Sequence, residues 1–274
     1  MSSATSNLRS TASRAADSKP LEYLARAGFI CYGIIHLLVA WLALQVAFGN
    51  SSQEGDPSGA LRTLASEPFG KGLVVVIAIG MFALAIWQAF AAAIGESGVQ
   101  DKEAIAERVI SGARAIIYLW LAWIGVKVFR GASESQASNQ QQKTSDLMSS
   151  TGGRWLVGLI GLAVVGVGIG LLWYGLTKRF ERHLNTWQMS STVRKSTRRL
   201  GVVGYVAKGV AYAIAGVLVV AAAVTYDPAK SRGLDGALKT LAGQRYGPWL
   251  LALVAAGIAA FGIYCFSQAR YRKV

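Results

Sequence analysis

Residues 59–92 read GALRTLASEPFGKGLVVVIAIGMFALAIWQAFAA, and they align without a gap on residues 236–269, GALKTLAGQRYGPWLLALVAAGIAAFGIYCFSQA. Both stretches begin with Gly-Ala-Leu, a basic residue and Thr-Leu-Ala, and both continue into a long apolar run. A general excess of apolar residues does not reproduce a shared polar segment, so the match indicates an internal repeat. Gly80 and Gly257 coincide in the alignment, which predicts close helix packing at that repeat position.

The apolar runs are long enough to cross a membrane, because a spanning helix needs about 20 largely apolar residues. Six stretches qualify: 27–48, 72–95, 109–130, 153–176, 202–224 and 248–268. None of them contains Asp or Glu, as expected where an unpaired carboxylate would be costly to bury. Only 15% of the residues are charged and 53% are hydrophobic, whereas a soluble domain has about 25% charged residues. We predict an all-α, polytopic membrane helix bundle with six transmembrane helices.

The repeat also includes the span that precedes each aligned stretch. Gly28, Gly33 and His36 correspond to Gly204, Gly209 and Tyr212. A diverged middle copy places Tyr118 at the position of His36, and its outward loop, SESQASNQQQKTSDLMSS, has lost the Gly-Ala-Leu motif. We therefore predict three two-helix repeats after a disordered cytoplasmic tail. The tail comprises residues 1–20, and the repeats comprise residues 21–96, 105–178 and 200–271.

Each repeat contains two spans, so successive repeats enter the membrane in the same sense. Parallel repeats of this kind are related by an axis along the membrane normal. Three of them predict a pseudo-threefold bundle in which one kind of span lies nearer the centre.

The chain resembles a membrane family of actinobacteria and cyanobacteria, catalogued as domain of unknown function twelve-oh-six. The resemblance rests on the glycine-rich first span and on the second span with its preceding motif. It implies three tandem copies in a bacterial plasma membrane, and it supplies no activity, cofactor or site residue.

The distribution of basic residues predicts the orientation. Of the 28 Lys and Arg residues, 17 lie on the side of the two termini, nine lie on the other side and two lie within spans. Since cytoplasmic loops carry the excess of Lys and Arg, both termini are predicted to be cytoplasmic. The Ser- and Arg-rich first 26 residues also fit an organelle transit peptide, although a disordered tail is the favoured interpretation.

His36 lies about 13 Å inside the first span, and an ionisable residue at that depth is a functional candidate. It could bind haem, relay a proton or recognise a ligand. No other span contains His, so a second axial haem ligand of that type is absent from the spans. The favoured alternative is a neutral His36 that bonds a neighbouring helix, through Gln88 of the paired span.

Tyr32, Arg114 and Lys208 share one repeat position, one helical turn before His36, Tyr118 and Tyr212. If these faces point inward, they form a polar ring around the axis, suited to a lipid phosphate or an anionic solute. The favoured alternative is that Arg114 and Lys208 extend towards the cytoplasmic headgroups. The candidate ligand-binding residues are His36, Tyr118, Tyr212, Tyr32, Arg114, Lys208 and Gln88.

The segments 58–65 and 234–242 have an apolar and a polar face, and they predict short amphipathic helices with Ser58 and Asp235 as N-caps. These helices would cover the helix ends or dock a partner, and the first role is favoured. Gly166 and Gly170 predict close helix approach in the fourth span. The basic loop between the fourth and fifth spans is expected to face anionic lipid headgroups.

The sequence contains no metal-ligand cluster, nucleotide motif or nucleophile–base pair, so we predict neither a metal, a cofactor nor an enzyme. The leading prediction is a non-catalytic scaffold, accessory subunit or lipid-binding module of the plasma membrane. Its expected partners are membrane lipids, with anionic headgroups at the cytoplasmic face, and a membrane protein complex, but not nucleic acid. The alternative is a passive transporter or channel for a small anionic or lipidic solute through the centre. A haem protein or membrane enzyme would depend almost wholly on His36.

Overall fold

The computed structural model describes residues 19–49, 54–94, 101–132 and 135–273, except for the side chains of residues 101–104 and 106. Most of the predicted tail, up to residue 18, lies outside the described residues. Within the described ranges the α-helices are α1 (Lys19–Ala47), α2 (Pro57–Ser66), α3 (Gly70–Ile94), α4 (Asp101–Phe129), α5 (Gln136–Met148), α6 (Thr151–Leu176), α7 (Ser191–Thr225), α8 (Gly233–Ala242) and α9 (Gly247–Tyr271). Short 3₁₀ turns lie at Arg179–His183, Thr186–Gln188 and Pro228–Lys230.

Six helices are long and apolar enough to span a membrane, namely α1, α3, α4, α6, α7 and α9. They confirm the predicted all-α membrane bundle. Helix α7 begins at Ser191, about three turns before the predicted span starts at residue 202. Its first turns carry Arg194, Lys195 and Arg198, so the helix extends beyond its apolar segment.

The spans pack side by side in an arc with the order α4, α3, α1, α9, α7 and α6. The two ends of the described chain meet on one face, where Arg26 Nη1 donates to the carbonyl oxygen of Arg270 at 3.3 Å. On the same face the backbone N–H of Asn185 donates to the carbonyl oxygen of Tyr271 at 2.7 Å. We call this side the terminal face. The short helices α2, α5 and α8 lie on the opposite face.

Glycines allow α6 and α7 to approach each other closely. A Cβ atom on Gly168 would lie 2.6 Å from the backbone nitrogen of Ala213 and 2.8 Å from the carbonyl oxygen of Gly209. The predicted pair was wrong, because a Cβ on Gly166 or Gly170 would meet nothing within 4 Å. The fourth span therefore packs on α7 through a stripe of glycines that includes Gly168, and not through the predicted pair Gly166 and Gly170.

Close helix packing was predicted at Gly80 and Gly257 in the second spans of repeats one and three, and the structure confirms it at both glycines. A Cβ on Gly80 would lie 2.6 Å from Cys31 Sγ, and one on Gly257 would lie 2.2 Å from Ala207 Cβ. These positions allow each second span to pack against the first span of its own repeat.

Helices α2 and α8 cover the bundle on the opposite face with their apolar sides, since Leu61 and Leu238 are at most 1% exposed. The predicted N-caps were wrong. Asp56, rather than Ser58, caps α2 by accepting from the backbone N–H groups of Ser58 and Gly59, each at 2.9 Å. Asp235 lies in the first turn of α8 and instead accepts from the backbone N–H of Gly55 at 3.1 Å. The acid therefore links repeat three to repeat one.

Repeat two differs from the other repeats in the packing of its two spans. In repeats one and three the two spans pack extensively on each other, whereas among the described residues α4 and α6 do not. The spanning windows of α4 and α6 are only 28% and 17% buried inside the protein, against 50–56% for the other four. The arc is consequently open on one side, between α4 and α6.

Candidate functional site

Side chains from the first helix of each repeat meet at the centre of the bundle. Lys208 on α7 is 9% exposed and donates from Nζ to the hydroxyl oxygen of Tyr32 on α1 at 3.1 Å. The same ammonium group lies 3.9 Å from the centroid of the Phe261 ring. Lys208 therefore points inward, and the favoured prediction that it extends to the headgroups was wrong. Aromatic faces and a hydroxyl stabilise the charge instead of water.

His36 also faces the centre, but its hydrogen bond stays within α1. Its Nδ1 lies 2.8 Å from the carbonyl oxygen of Tyr32, so Nδ1 carries the proton and donates. The ring packs at 4.3 Å from that of Tyr32 and at 4.8 Å from that of Phe261. Gln88, the predicted partner, is buried on α3, and the Nδ1 bond of His36 goes to its own helix instead.

The remaining candidate residues, Tyr118, Arg114 and Tyr212, lie around Lys208 and His36. Tyr118 is buried, with its ring 5.1 Å from that of Tyr32. Arg114 is half-buried and forms a side-chain hydrogen bond with Tyr174 of α6, nearer the terminal face. Tyr212 is 37% exposed and lines the central cavity described below. The structure thus brings Tyr32, Tyr118 and Lys208 into direct or ring contact.

A small cavity of about 70 Å³ lies on the axis. Its walls come from α1, α4, α7 and α9, and Pro57 of α2 and Leu234 of α8 also line it. This volume accommodates a few water molecules. Towards the terminal face the axis is filled by stacked and edge-on rings, including those of Tyr205, Phe261 and Tyr264.

A much larger cavity, of about 560 Å³, occupies the open side of the arc between α4 and α6. We call it the lateral crevice. Its apolar walls are formed by Trp120, Trp123, Ile124, Val128, Leu147, Val157, Ile160 and Val219. Its polar lining is Ser58, Lys127, Gln136, Asn139, Gln140, Lys143, Thr144 and Ser231. Trp120 lines both the crevice and the axial cavity.

Helix α5 forms the polar roof of the lateral crevice. The side chains that line the crevice recur at helical spacing, from Gln136 through Asn139, Gln140 and Lys143 to Thr144. The opposite side of α5, with Ser138 and Gln142, lines a separate polar notch. Helix α5 therefore points polar groups into the protein, whereas α2 and α8 point leucines inward.

The roof is attached to both neighbouring repeats. Thr144 Oγ1 and Ser231 Oγ lie 2.7 Å apart, and both residues are buried. At the other end, the Ser135 hydroxyl donates to Glu54, which also accepts from Arg62 Nη2 at 2.6 Å. These bonds fix α5 above the crevice.

Sequence reasoning did not identify the lateral crevice. The available sign was the loss of the Gly-Ala-Leu motif in the outward loop of repeat two, together with the run of amides in SNQQQ. That divergence marks the place where the bundle is open.

The chemistry available in the crevice is that of an amphipathic ligand site. Its lining offers amide, hydroxyl and ammonium groups at one end and aromatic and aliphatic groups at the other. Among the described residues, no group of three His, Cys, Asp or Glu side chains is arranged to hold a metal ion.

Comparison with known proteins supports the repeat and the family resemblance. A family model described as Domain of Unknown Function (DUF1206) matches residues 27–95, 111–178 and 203–272. The uncharacterized protein YxxB of Bacillus subtilis (strain 168) is 28% identical over 260 residues, which cover 94% of each chain. No solved structure matches. The three tandem matches confirm the internal repeat and the predicted family.

Proposed function

This chain belongs to the DUF1206 family, and we propose that it is a non-catalytic lipid-binding protein of the bacterial plasma membrane. One lipid would occupy the lateral crevice between α4 and α6. Its acyl chains would lie against the apolar walls, and its headgroup would lie beneath α5. Such a protein could serve as an accessory subunit that presents or retains a lipid.

The open side of repeat two carries this proposal. The volume of about 560 Å³ lies within the range of about 300–1,000 Å³ that ligand cavities occupy. The apolar wall is continuous with the lipid-facing surface, since Trp123 is 55% exposed and Ile160 is 45% exposed. A ligand could therefore enter sideways from the membrane without crossing a polar barrier.

A path through the centre has less support from the geometry. The axial cavity of about 70 Å³ is too small for a lipidic solute, and Tyr205, Phe261 and Tyr264 pack tightly on its terminal side. Among the described residues that line the crevice there is also no carboxylate, imidazole or thiol. Binding therefore accounts for the crevice without a catalytic group.

We further propose that the terminal face is cytoplasmic and that the lateral crevice opens on the external half of the membrane. The excess of Lys and Arg on the side of the termini supports this orientation. Basic residues at the start of α7, such as Arg194 and Lys195, are exposed and would face anionic headgroups in that leaflet.

A pair of substitutions on α6 tests the lipid site. Ile160→Trp places an indole in the lateral crevice, whereas Leu159→Trp adds the same group to a neighbouring position that is 63% exposed and outside the crevice lining. The protein would be purified in a mild detergent, and retained lipids would be counted by native mass spectrometry. We expect about one retained lipid in the wild type and Leu159→Trp, and loss of it in Ile160→Trp.

Two results would contradict the proposal. Wild-type protein without any retained lipid would remove its basis. Equal retention by Ile160→Trp and Leu159→Trp would place the lipid elsewhere on the surface. A thermal unfolding curve for each variant would check that loss of lipid does not reflect loss of fold.

A further inference from the structure

The axial cavity has a buried cation in its wall. Lys208 is 9% exposed, lines the cavity and donates from Nζ to the hydroxyl oxygen of Tyr32. An ammonium group has three hydrogens to donate, so within the described part of the chain two of them have no acceptor. The described residues that line the cavity include no Asp or Glu. We propose that the axial cavity binds one small monovalent anion, of the size of chloride, against Lys208.

The surroundings of the Lys208 charge show what an anion would add. The centroid of the Phe261 ring lies 3.9 Å from Nζ, and that of the Tyr32 ring lies 5.2 Å away. Aromatic faces attract a cation but accept no conventional hydrogen bond. A buried charge is costly unless it is both paired and hydrogen-bonded. An anion in the cavity would supply the pairing charge and accept the remaining N–H groups.

Tyr212 provides a second donor on the same helix. It follows Lys208 by four residues on α7, so the two side chains lie on one helix face, and both line the cavity. The hydroxyl of Tyr212 forms no hydrogen bond with the rest of the described chain. An anion can accept from a hydroxyl and an ammonium group one helical turn apart at the same time.

His36 identifies the side of the cavity where the anion would not bind. Its Nδ1 donates to the carbonyl oxygen of Tyr32 at 2.8 Å, so Nε2 carries a lone pair and accepts. The anion would therefore lie on the α7 side, next to Lys208 and Tyr212, and a water molecule would donate to Nε2. The cavity volume of about 70 Å³ has room for both, since one water takes up about 30 Å³ in the liquid.

Size and charge narrow the class of anion. One ammonium group balances one negative charge, so a dianion such as sulfate would bring an unpaired charge into the bundle. Gluconate is monovalent, but its chain of carbon atoms is too large for the cavity. A halide has the right charge and fits the volume. The site is independent of the proposed lipid, which is too large to enter the axial cavity.

Binding of radioactive chloride tests the site directly. The full-length protein would be purified in an uncharged detergent with sodium gluconate as the salt and then titrated with chloride. We expect about one chloride per chain, displaced by bromide but not by sulfate or gluconate at equal ionic strength. Chloride at about ten times its dissociation constant should also raise the unfolding temperature by about 3–6 °C.

Variants assign the binding to Lys208. Lys208→Met keeps an apolar stem and should abolish both chloride binding and the rise in unfolding temperature, while its unfolding curve in gluconate checks the fold. Tyr212→Phe should weaken binding by about three- to tenfold, because one donor is lost. It remains informative if Lys208→Met fails to fold. Lys71→Met is the control, because it removes the same charge from an exposed position outside the cavity lining.

Several results would overturn the anion site. Wild-type protein that binds no chloride would do so, as would Lys208→Met that binds it as well as the wild type does. Equal loss in Lys71→Met would assign the effect to surface charge in general, and binding of sulfate or gluconate would contradict the size and charge of the site. None of these measurements depends on retained lipid, so they leave the proposed lipid site to its own test.

Discussion

Lys208 Nζ lies 3.1 Å from the hydroxyl oxygen of Tyr32, and this bond joins repeat three to repeat one across the axis of the bundle. Both residues occupy the same repeat position. The ring of Phe261 completes the surroundings of the ammonium group at 3.9 Å. A buried cation held by a hydroxyl and aromatic faces is a weaker arrangement than one paired with a carboxylate.

Substitutions of Lys208 and of Tyr32 should have different effects on the free energy of unfolding. Lys208→Met removes the buried charge while retaining an apolar stem, so the free energy of unfolding should stay unchanged or rise. Tyr32→Phe leaves the charge without its acceptor and should cost about 1–3 kcal/mol. Thermal unfolding in detergent measures both. If Lys208→Met proved the more harmful change, the charge itself would have a role at the centre.

Two glycines on α6 provide a matched test of helix packing. Gly168→Ala places a methyl group 2.6 Å from the backbone nitrogen of Ala213 and should destabilise the protein by about 1–3 kcal/mol. Gly166→Ala meets nothing within 4 Å and should be neutral or stabilising by up to about 1 kcal/mol. Both changes alter helix propensity equally. Similar unfolding midpoints for the two variants would contradict the packing of α6 on α7.

The carboxylate of Glu54 should make the attachment of α5 sensitive to acid. Burial alone raises its pKa, but hydrogen bonds from Ser135 and Arg62 outweigh that effect and lower the pKa from its ordinary 4.5. A lowered pKa in the folded state means that the stabilisation is present above the unfolded value and is lost as the pH falls through the folded value. Glu54→Gln should therefore be less stable than the wild type near neutral pH, by about 1–3 kcal/mol.

The difference between wild type and Glu54→Gln should shrink below about pH 4.5. Asp56 works in the opposite direction, since burial is the main cause that raises its pKa from 3.8. Part of that rise comes from the charge of Glu54, so Glu54→Gln removes this part together with the Glu54 carboxylate. Unfolding curves at several pH values provide the measurement, and a pH-independent difference would show that the Glu54 carboxylate does not stabilise the fold.

Fusion reporters test the orientation. Alkaline phosphatase fused after Val274 should be inactive, whereas a green fluorescent protein at the same position should fluoresce, because the terminal face is expected to be cytoplasmic. Phosphatase inserted next to α5 should be active. The reverse pattern would refute the orientation and would place the lateral crevice on the cytoplasmic half of the membrane.

The spans and the repeats could be predicted from sequence because each depends on properties that one chain displays along its length. Apolar runs without Asp or Glu define spans, and the coincidence of Gly80 with Gly257 correctly located close packing. The choice of Gly166 and Gly170 failed because spacing alone does not specify which stripe of a helix faces its neighbour. Gly161 and Gly168 lie on the contacting stripe and have a spacing of seven residues.

The candidate site was predicted only in part. Alignment placed Tyr32 and Lys208 at one repeat position, and they do meet at the centre. Hydropathy could not decide whether the Lys208 side chain extends towards the headgroups or towards the centre. The inward position depends on the contact of its ammonium group with the ring of Phe261, which lies on another helix. The lateral crevice was missed because it results from the absence of packing between α4 and α6, and no residue pattern records a missing contact directly.

The opening on one side has a consequence for how such a protein could arise. Three separate copies of a two-helix unit, assembled as a homotrimer, would have three equivalent sides, and any opening would be present three times or not at all. Joining the units in one polypeptide frees each to change by itself. Among the described residues, the cover of the middle unit presents amides where α2 and α8 present leucines, a difference that three identical chains could not have.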